Sequence, residues 1–265
     1  MLLNPYFFVN NSRAVNIFSY FAKCIKVDVV ILMLGTSTNT KGGVATVVQS
    51  YVDSGFFDEQ GVAYLATHAD GSWLNKILVL SVSVFSFLKT AIFSTVEITH
   101  IHSASRASFY RKAIFIAMAK IFCIKVVFHL HGGEFRQFYE DESSRMQRQF
   151  IAGLLGRCDA IIVLSSQMKQ WMAQLLPEDR IHVIHNTLPI KSDAAPRKLG
   201  VTPTILFLGR VGENKGVRDL LEAISFLKGK VPFEVTIAGD GEVEKYRRMA
   251  DSMGLSDQVK LPGWI

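Results

Sequence analysis

The sequence has few cysteines and no long hydrophobic run, which narrows the classes of protein it can be. Its three cysteines, Cys24, Cys123 and Cys158, are too few and too scattered for a disulfide framework or a closed zinc site. The most apolar stretch, 77–88, has 12 residues between two lysines, whereas a membrane-spanning helix needs about 20. The N-terminus has no cationic region before an apolar core and no small-residue cleavage site. We therefore predict a cytoplasmic protein without a signal peptide or a membrane span.

Acidic residues are outnumbered, with 23 Asp and Glu against 29 Lys and Arg, which gives a formal net charge of +6. This excess favours anionic partners such as phosphates, nucleic acid or an anionic membrane face. No nucleic-acid recognition motif accompanies it, and the bias is weaker than such domains show, so we expect no nucleic-acid partner. Hydrophobic residues make up 49% of the chain, which excludes a disordered protein because enough apolar surface can be buried.

Short β-branched apolar runs alternate with segments of helical periodicity along the chain. This alternation predicts an α/β fold with parallel sheets. The predicted strands are 27–35, 61–68, 96–102, 124–132, 159–165, 181–186, 204–209 and 233–239. Helices are predicted over 217–227 and 242–253, after the last two runs.

A polar stretch with proline, glycine and charged residues, 191–203, predicts an exposed linker between two domains. We therefore assign an N-terminal extension (1–26), a first Rossmann-like domain (27–190), the linker and the start of a second such domain (204–265). The second domain has about two βα units, whereas open α/β domains generally have five or six strands. We expect it to be truncated.

Two glycine-containing loops follow predicted strands and suit a phosphate. Gly42 and Gly43 open a helix, where backbone N–H groups attract an anion; an ordinary tight turn is the alternative. The loop lacks the Gly-Lys-Ser/Thr order of an ATPase P-loop. Arg210 and Lys215 lie five residues apart between glycines at another helix start, which predicts a diphosphate site; two solvated surface cations are the alternative.

Two histidines, His129 and His131, share one side of the fourth predicted strand near its carboxyl end, where ligands bind in open α/β sheets. An i, i+2 pair can hold a metal, but no third ligand at suitable spacing is evident, so we expect no zinc. His129 fits a core histidine. His131 is the functional candidate, because the two glycines after it permit close approach of a ligand.

The segment 106–125 carries five cations and no acid, interleaved with aromatic residues. It predicts a basic helix that rests on an anionic membrane through Arg111, Lys112 and Lys120; a core-packed helix with a solvated face is the alternative. The apolar segment 73–93 is either a second membrane-facing element or buried.

In their order and spacing these motifs resemble glycosyltransferase family 4, whose members have the GT-B fold and retain the anomeric configuration. The resemblance runs from about residue 27 to the last residue. It rests on Gly42-Gly43-Val44, the segments 129–135 and 181–186, Gly209-Arg210, Lys215-Gly216, Gly239-Asp240-Gly241 and the final Leu-Pro-Gly-Trp.

The resemblance implies a sugar nucleotide between two Rossmann-like domains. It implies that Arg210 and Lys215 hold the donor diphosphate, with Gly42 and Gly43 near it, and that His131 lies beside the transferred sugar. It implies no metal and no cofactor, because the cations neutralise the leaving group.

We therefore expect a retaining transferase that moves a sugar from a UDP- or GDP-sugar to a glycan or lipid-linked acceptor, in cell-surface polysaccharide or glycoconjugate synthesis. We expect it in the cytoplasm, at the inner face of the membrane. The alternative is an inactive truncated fragment that binds nucleotide or membrane, because the family's paired glutamates would lie beyond residue 265. Thr187 also follows Asn186 where the family usually has glycine, a change that alters a hinge turn but no reacting group.

Overall fold

The computed structural model describes residues 31–40, 42–186 and 202–265. The chain forms two compact units, divided between Ile190 and Lys191. The predicted N-terminal extension, 1–26, lies outside the described residues, as does nearly all of the predicted linker, 191–203.

The first unit contains a six-stranded parallel sheet with the strand order β2-β1-β3-β4-β5-β6. Its strands are β1 (Ile31–Gly35), β2 (Val62–Ala66), β3 (Ile98–Ser103), β4 (Lys125–Leu130), β5 (Ala160–Val163) and β6 (Ile181–Val183). Its helices are α1 (Gly43–Asp53), α2 (Phe56–Glu59), α3 (Trp73–Phe93), α4 (Ala107–Ile121), α5 (Phe135–Glu140), α6 (Arg145–Leu155) and α7 (Ser166–Met172). Each of the six apolar runs predicted before residue 190 forms one of these strands.

Helices cover both faces of this sheet, as β1 shows. Leu32 and Leu34 belong to a large core shared with α4 and β4, whereas Met33 points the other way, into a separate core with Val48 of α1. Side chains of a strand alternate between the two faces, so a strand covered on both sides is apolar throughout. In the large core the rings of Phe109 and Phe128 meet edge to face with centroids 6.0 Å apart. The doubly covered parallel sheet confirms the predicted fold class.

The second unit contains a three-stranded parallel sheet with the order β7-β8-β9. The elements are β7 (Thr204–Leu208), α8 (Val217–Ser225), β8 (Glu234–Ala238), α9 (Val243–Ser252) and β9 (Val259–Gly263). Val217, Leu221 and Ile224 are buried at helical spacing on one face of α8 and pack in the core of this unit. The sequence did not predict β9, because Pro262 within it removes a backbone donor and argues against a strand.

The segment 73–93 forms the single helix α3, 21 residues long. Ser72 caps it, its side chain accepting a hydrogen bond from the Asn75 backbone N–H at 3.3 Å. Within the part of the chain that the structure describes, α3 is the one helix long and apolar enough to cross a membrane. The 12-residue stretch 77–88, on which the expectation of no span rested, is therefore part of a longer apolar helix, and that expectation stays a prediction. Length and composition alone are weak evidence for a span, because core helices of soluble proteins meet the same criterion.

Candidate functional site

The loops after β3 and β4 meet at the carboxyl edge of the first sheet, and His131 lies there. Its backbone N–H donates to the Ser103 carbonyl at 2.8 Å, which extends the strand pairing beyond β4. The next residue, Gly132, packs against the loop after β3: a Cβ placed on it would lie 3.2 Å from the Ser105 nitrogen. Glycine at this position therefore allows the two loops to approach each other closely.

Arg106 joins these two loops. Its guanidinium donates to both carboxylate oxygens of Glu142, at 2.7 and 2.6 Å, and also to Glu134, which follows Gly133. The paired geometry is the bidentate form in which arginine binds a carboxylate most specifically. These bonds also lower the pKa of the Glu142 carboxyl, chiefly through the hydrogen bond from Arg106. The loop that carries His131 is thus fixed to the start of α4.

His131 belongs to a group of four histidines on one face of β3 and β4, here called the histidine cluster: His100, His102, His129 and His131. His102 lies directly beside His129 in the sheet register. His102 Nδ1 and His131 Nε2 are 2.7 Å apart, and His100 Nε2 and His129 Nδ1 are 3.2 Å apart. His102 and His129 are buried, whereas His100 and His131 are partly exposed.

Burial keeps the histidine cluster neutral at neutral pH. It lowers the pKa of His131 to about 4, against a hydrogen bond with Asn186 that raises it. Burial, followed by the charge of His131, lowers the pKa of His100 to about 4 and that of His129 to about 2, and the pKa of His102 is also lowered well below its usual value. His131 can therefore donate or accept a hydrogen bond at pH 7, but it carries no positive charge.

Sequence reasoning singled out His129 and His131 and missed His100 and His102. The signal was a second His-X-His pattern in the neighbouring predicted strand, 96–102. Residues two apart on adjacent parallel strands share one sheet face, so the two patterns form one cluster once β3 and β4 pair.

The structure contradicts the predicted membrane-facing role of Lys112. Its side chain is 2% exposed, and Nζ donates to the Gly35 carbonyl at 3.0 Å and to the Thr67 hydroxyl. Lys112 therefore binds the carboxyl ends of β1 and β2 from inside the unit, and it cannot reach a lipid surface. Burial accordingly lowers the pKa of its ammonium group well below the usual value.

The other two predicted membrane contacts, Lys120 and Arg111, lie in different surroundings. Lys120 forms an ion pair with Asp159. Arg111 is half-buried, and burial lowers the pKa of its guanidinium. The burial of Lys112 favours the core-packed alternative for α4, whereas the membrane-facing roles of Arg111 and Lys120 stay predictions.

Gly42 and Gly43 form the entry to α1. Gly42 has φ 144° and precedes the first helical residue, Gly43. Both are exposed, and a Cβ on either would have no other atom within 4 Å. The first turn of α1 contains no acidic residue. The backbone at this helix start is therefore open to an anionic ligand.

Arg210 and Lys215 lie on the loop after β7, and both are exposed. The nearby carboxylate of Glu213 is already occupied: Arg218 Nε lies 2.9 Å from it, and the Tyr246 hydroxyl donates to it at 3.0 Å. Among the residues that the structure describes, neither Arg210 nor Lys215 pairs with a carboxylate. The loop therefore presents two cations that are available to a ligand.

The loop after β8 packs directly on the loop that carries Arg210. Gly239 has φ 151°, and a Cβ on it would lie 1.7 Å from the Gly209 carbonyl oxygen. The Val211 N–H donates to the Asp240 carbonyl at 2.6 Å, and Val211 in turn accepts from the Glu242 N–H at 2.9 Å. These contacts fix the backbone from which the Arg210 side chain extends.

Two known protein families have models that match this chain. Residues 27–191 match the model of Glycosyltransferase Family 4, and residues 202–265 match that of Glycosyl transferases group 1. The first match covers more than half of the chain, so the chain belongs to glycosyltransferase family 4. A search of curated protein sequences gave no significant match.

Solved structures with the same fold include several glycosyltransferases. Anabaena HepE, in complex with UDP and glucose, is 16% identical with a TM-score of 0.59, over 89% of this chain and 70% of that one. The lipopolysaccharide outer core galactosyltransferase WaaB is 16% identical with a TM-score of 0.55, over 89% and 68%. WaaG, a glycosyltransferase of lipopolysaccharide biosynthesis, is 10% identical with a TM-score of 0.59, over 89% and 70%. These likenesses show the α/β fold of the GT-B type with two parallel sheets.

Proposed function

We propose that the protein is a retaining glycosyltransferase that moves a sugar from a UDP- or GDP-sugar to a glycan or lipid-linked acceptor. The observation that carries the proposal is the pair of exposed cations, Arg210 and Lys215, that no carboxylate engages in the described part of the chain. Membership of the family supplies the reaction class. HepE, whose structure contains UDP and glucose, has the same fold and supports a nucleotide-sugar donor.

In this proposal the two cations stabilise the nucleoside diphosphate as it leaves the sugar. Arginine offers a planar fork of donors to phosphate oxygens, and lysine adds a point charge. Charge that develops on the leaving group is stabilised most by donors already in place. The proposal assigns no metal and no cofactor to this step, because the cations supply the positive charge.

His131 acts in the same proposal on the sugar rather than on the phosphates. A neutral imidazole adds little attraction for a dianionic diphosphate, but it can hydrogen-bond a sugar hydroxyl. Gly42 and Gly43 provide a helix start open to a diphosphate or to the acceptor. Synthesis of a cell-surface polysaccharide or glycoconjugate fits WaaB and WaaG, which serve lipopolysaccharide.

Transfer assays test the reaction. The chain is incubated with UDP-glucose, UDP-galactose, UDP-N-acetylglucosamine or GDP-mannose and with lipid extracts, and labelled sugar in the lipid and glycan fractions is measured. We expect transfer with one donor, retained anomeric configuration, and loss of transfer in Arg210→Ala. The matched control Arg248→Ala removes another exposed arginine of the second unit and should keep the activity. Nucleotide binding without transfer from any donor would favour the alternative of an inactive fragment.

We also propose that the protein is cytoplasmic and binds the inner face of the membrane through α3. Ser83 and Phe87 bury one face of α3, and the Ser83 hydroxyl donates to the Ala66 carbonyl at 2.8 Å. The opposite face is apolar and exposed, with Leu74 at 61% and Ile92 at 59%, and Trp73 and Phe93 are exposed at the two ends of the helix. A helix docked on one side and apolar on the other suits a position along the bilayer surface, and Lys76 and Lys89 suit anionic headgroups.

A further inference from the structure

We propose that the histidine cluster binds one divalent ion of the zinc class. One ring nitrogen from each of His100, His102 and His129 lies within 4.8 Å of the other two. Imidazole is a preferred ligand of zinc and of other late first-row ions. Sequence analysis found no third ligand for His129 and His131; in this proposal β3 supplies two ligands, His100 and His102, which join His129.

The spacing of the ring nitrogens suits such an ion. Zinc binds imidazole nitrogen at about 2.0–2.1 Å, so two ligands of a tetrahedral ion lie about 3.3 Å apart. His100 Nε2 and His129 Nδ1 are already 3.2 Å apart. One ring nitrogen of His102 lies within 4.8 Å of a nitrogen on each of the other two rings, and a shift of the His102 ring would bring it to the same spacing.

An unused ring nitrogen points to a ligand at this place. His102 Nε2 is buried and has no hydrogen-bond partner among the described residues. Buried ring nitrogens normally have a partner, and an unexplained exception indicates a missing ion or water. His131 already engages Nδ1 of His102, which leaves Nε2 of His102 for the ion.

The fourth histidine of the cluster also suits a metal site. His131 would act as the outer partner that orients His102, a role that hydrogen-bonded groups commonly play around metal ligands. The site lies on a different sheet from Arg210 and Lys215, and the inference stands whether or not the chain transfers sugar.

Metal content and spectroscopy test the inference. The 265-residue chain is loaded with Zn²⁺ and dialysed, and zinc is measured by mass spectrometry. The same chain with Co²⁺ should show the visible bands of a four-coordinate ion, without the thiolate-to-cobalt charge transfer that cysteine ligands would add. Because the Co²⁺ spectrum uses the unaltered chain, it does not depend on a variant that folds.

His100→Gln is the informative variant, because His100 is the ligand that is partly exposed and its replacement disturbs the core least. Loss of an outer partner alone commonly weakens metal binding about 10–100-fold, so loss of a direct ligand should weaken it by at least that much. His182→Ala, at an exposed histidine of β6, should bind as the unaltered chain does. The inference is overturned if the unaltered chain retains no equimolar zinc, or if folded His100→Gln retains it equally well.

Discussion

Acid should destabilise the first unit through the histidine cluster. His100 and His131 protonate near pH 6.5 in an unfolded chain, but in the folded protein burial lowers the pKa of each to about 4. Between these values the unfolded chain binds protons that the folded cluster excludes, so stability falls as the pH falls. The slope is about 1.4 kcal/mol per pH unit for each histidine. From pH 7.5 to 5 these two together remove about 4 kcal/mol, a large part of the roughly 5–15 kcal/mol by which a folded domain is stable, and the lowered pKa values of His102 and His129 add to this loss.

Urea unfolding at pH 7.5 and pH 5 measures this effect. The fluorescence of Trp171, which is buried in the first unit, reports the transition, and a chelator removes any bound metal so that only protons are linked to folding. His100→Phe should lose about 2 kcal/mol of the pH dependence, because one of the excluded protons is gone. His182→Ala, which is exposed, serves as the control and should keep the full dependence. The reasoning is wrong if stability at pH 5 equals that at pH 7.5, or if His100→Phe retains the unaltered slope.

Three further predictions concern the sugar, the second sheet and the membrane. His131→Ala should lower kcat at least about tenfold, roughly 1.4 kcal/mol, while affinity for the donor diphosphate is kept; steady-state kinetics showing an unchanged rate would return His131 to a packing role. Gly239→Ala should destabilise the second unit by at least about 1–3 kcal/mol from its backbone conformation alone, with the Gly209 contact adding to that; an unchanged denaturation midpoint contradicts it. Replacing Trp73 and Phe93 with serine should abolish flotation with anionic vesicles even at low salt, whereas serine at exposed Phe226 should not; equal flotation of both variants refutes the role of α3.

Most strands of the fold could be predicted from the sequence, because strands buried on both faces of a parallel sheet appear as continuous apolar runs. A stretch such as Ile31–Gly35 can tolerate few polar residues when neighbouring side chains enter two different cores. The last strand, β9, escaped prediction because its Pro262 is compatible only with edges and irregular pairing, and a local pattern carries no information about which edge is used.

The candidate site could be predicted only where its functional side chains lie on a single loop. Arg210 and Lys215 sit within six residues, and a diphosphate could be inferred from them directly. The histidine cluster depends on β3 lying beside β4, a long-range pairing that no local spacing reveals. The prediction for Lys112 was wrong for a related reason. Counting the cations along 106–125 does not reveal that α4 directs the Lys112 side chain towards the Gly35 carbonyl.

Binding of nucleoside diphosphates tests the central claim most directly. Isothermal titration calorimetry compares UDP, GDP and the matching nucleosides on the unaltered chain and on Arg210→Ala, Lys215→Ala and the control Arg248→Ala. A hydrogen bond to a charged phosphate contributes about 1.5–3 kcal/mol, so Arg210→Ala and Lys215→Ala should each weaken UDP or GDP about tenfold to a hundredfold. Nucleoside affinity and the control variant should stay unchanged. Equal nucleoside-diphosphate affinity in all four proteins would contradict the assignment of this loop to the donor diphosphate.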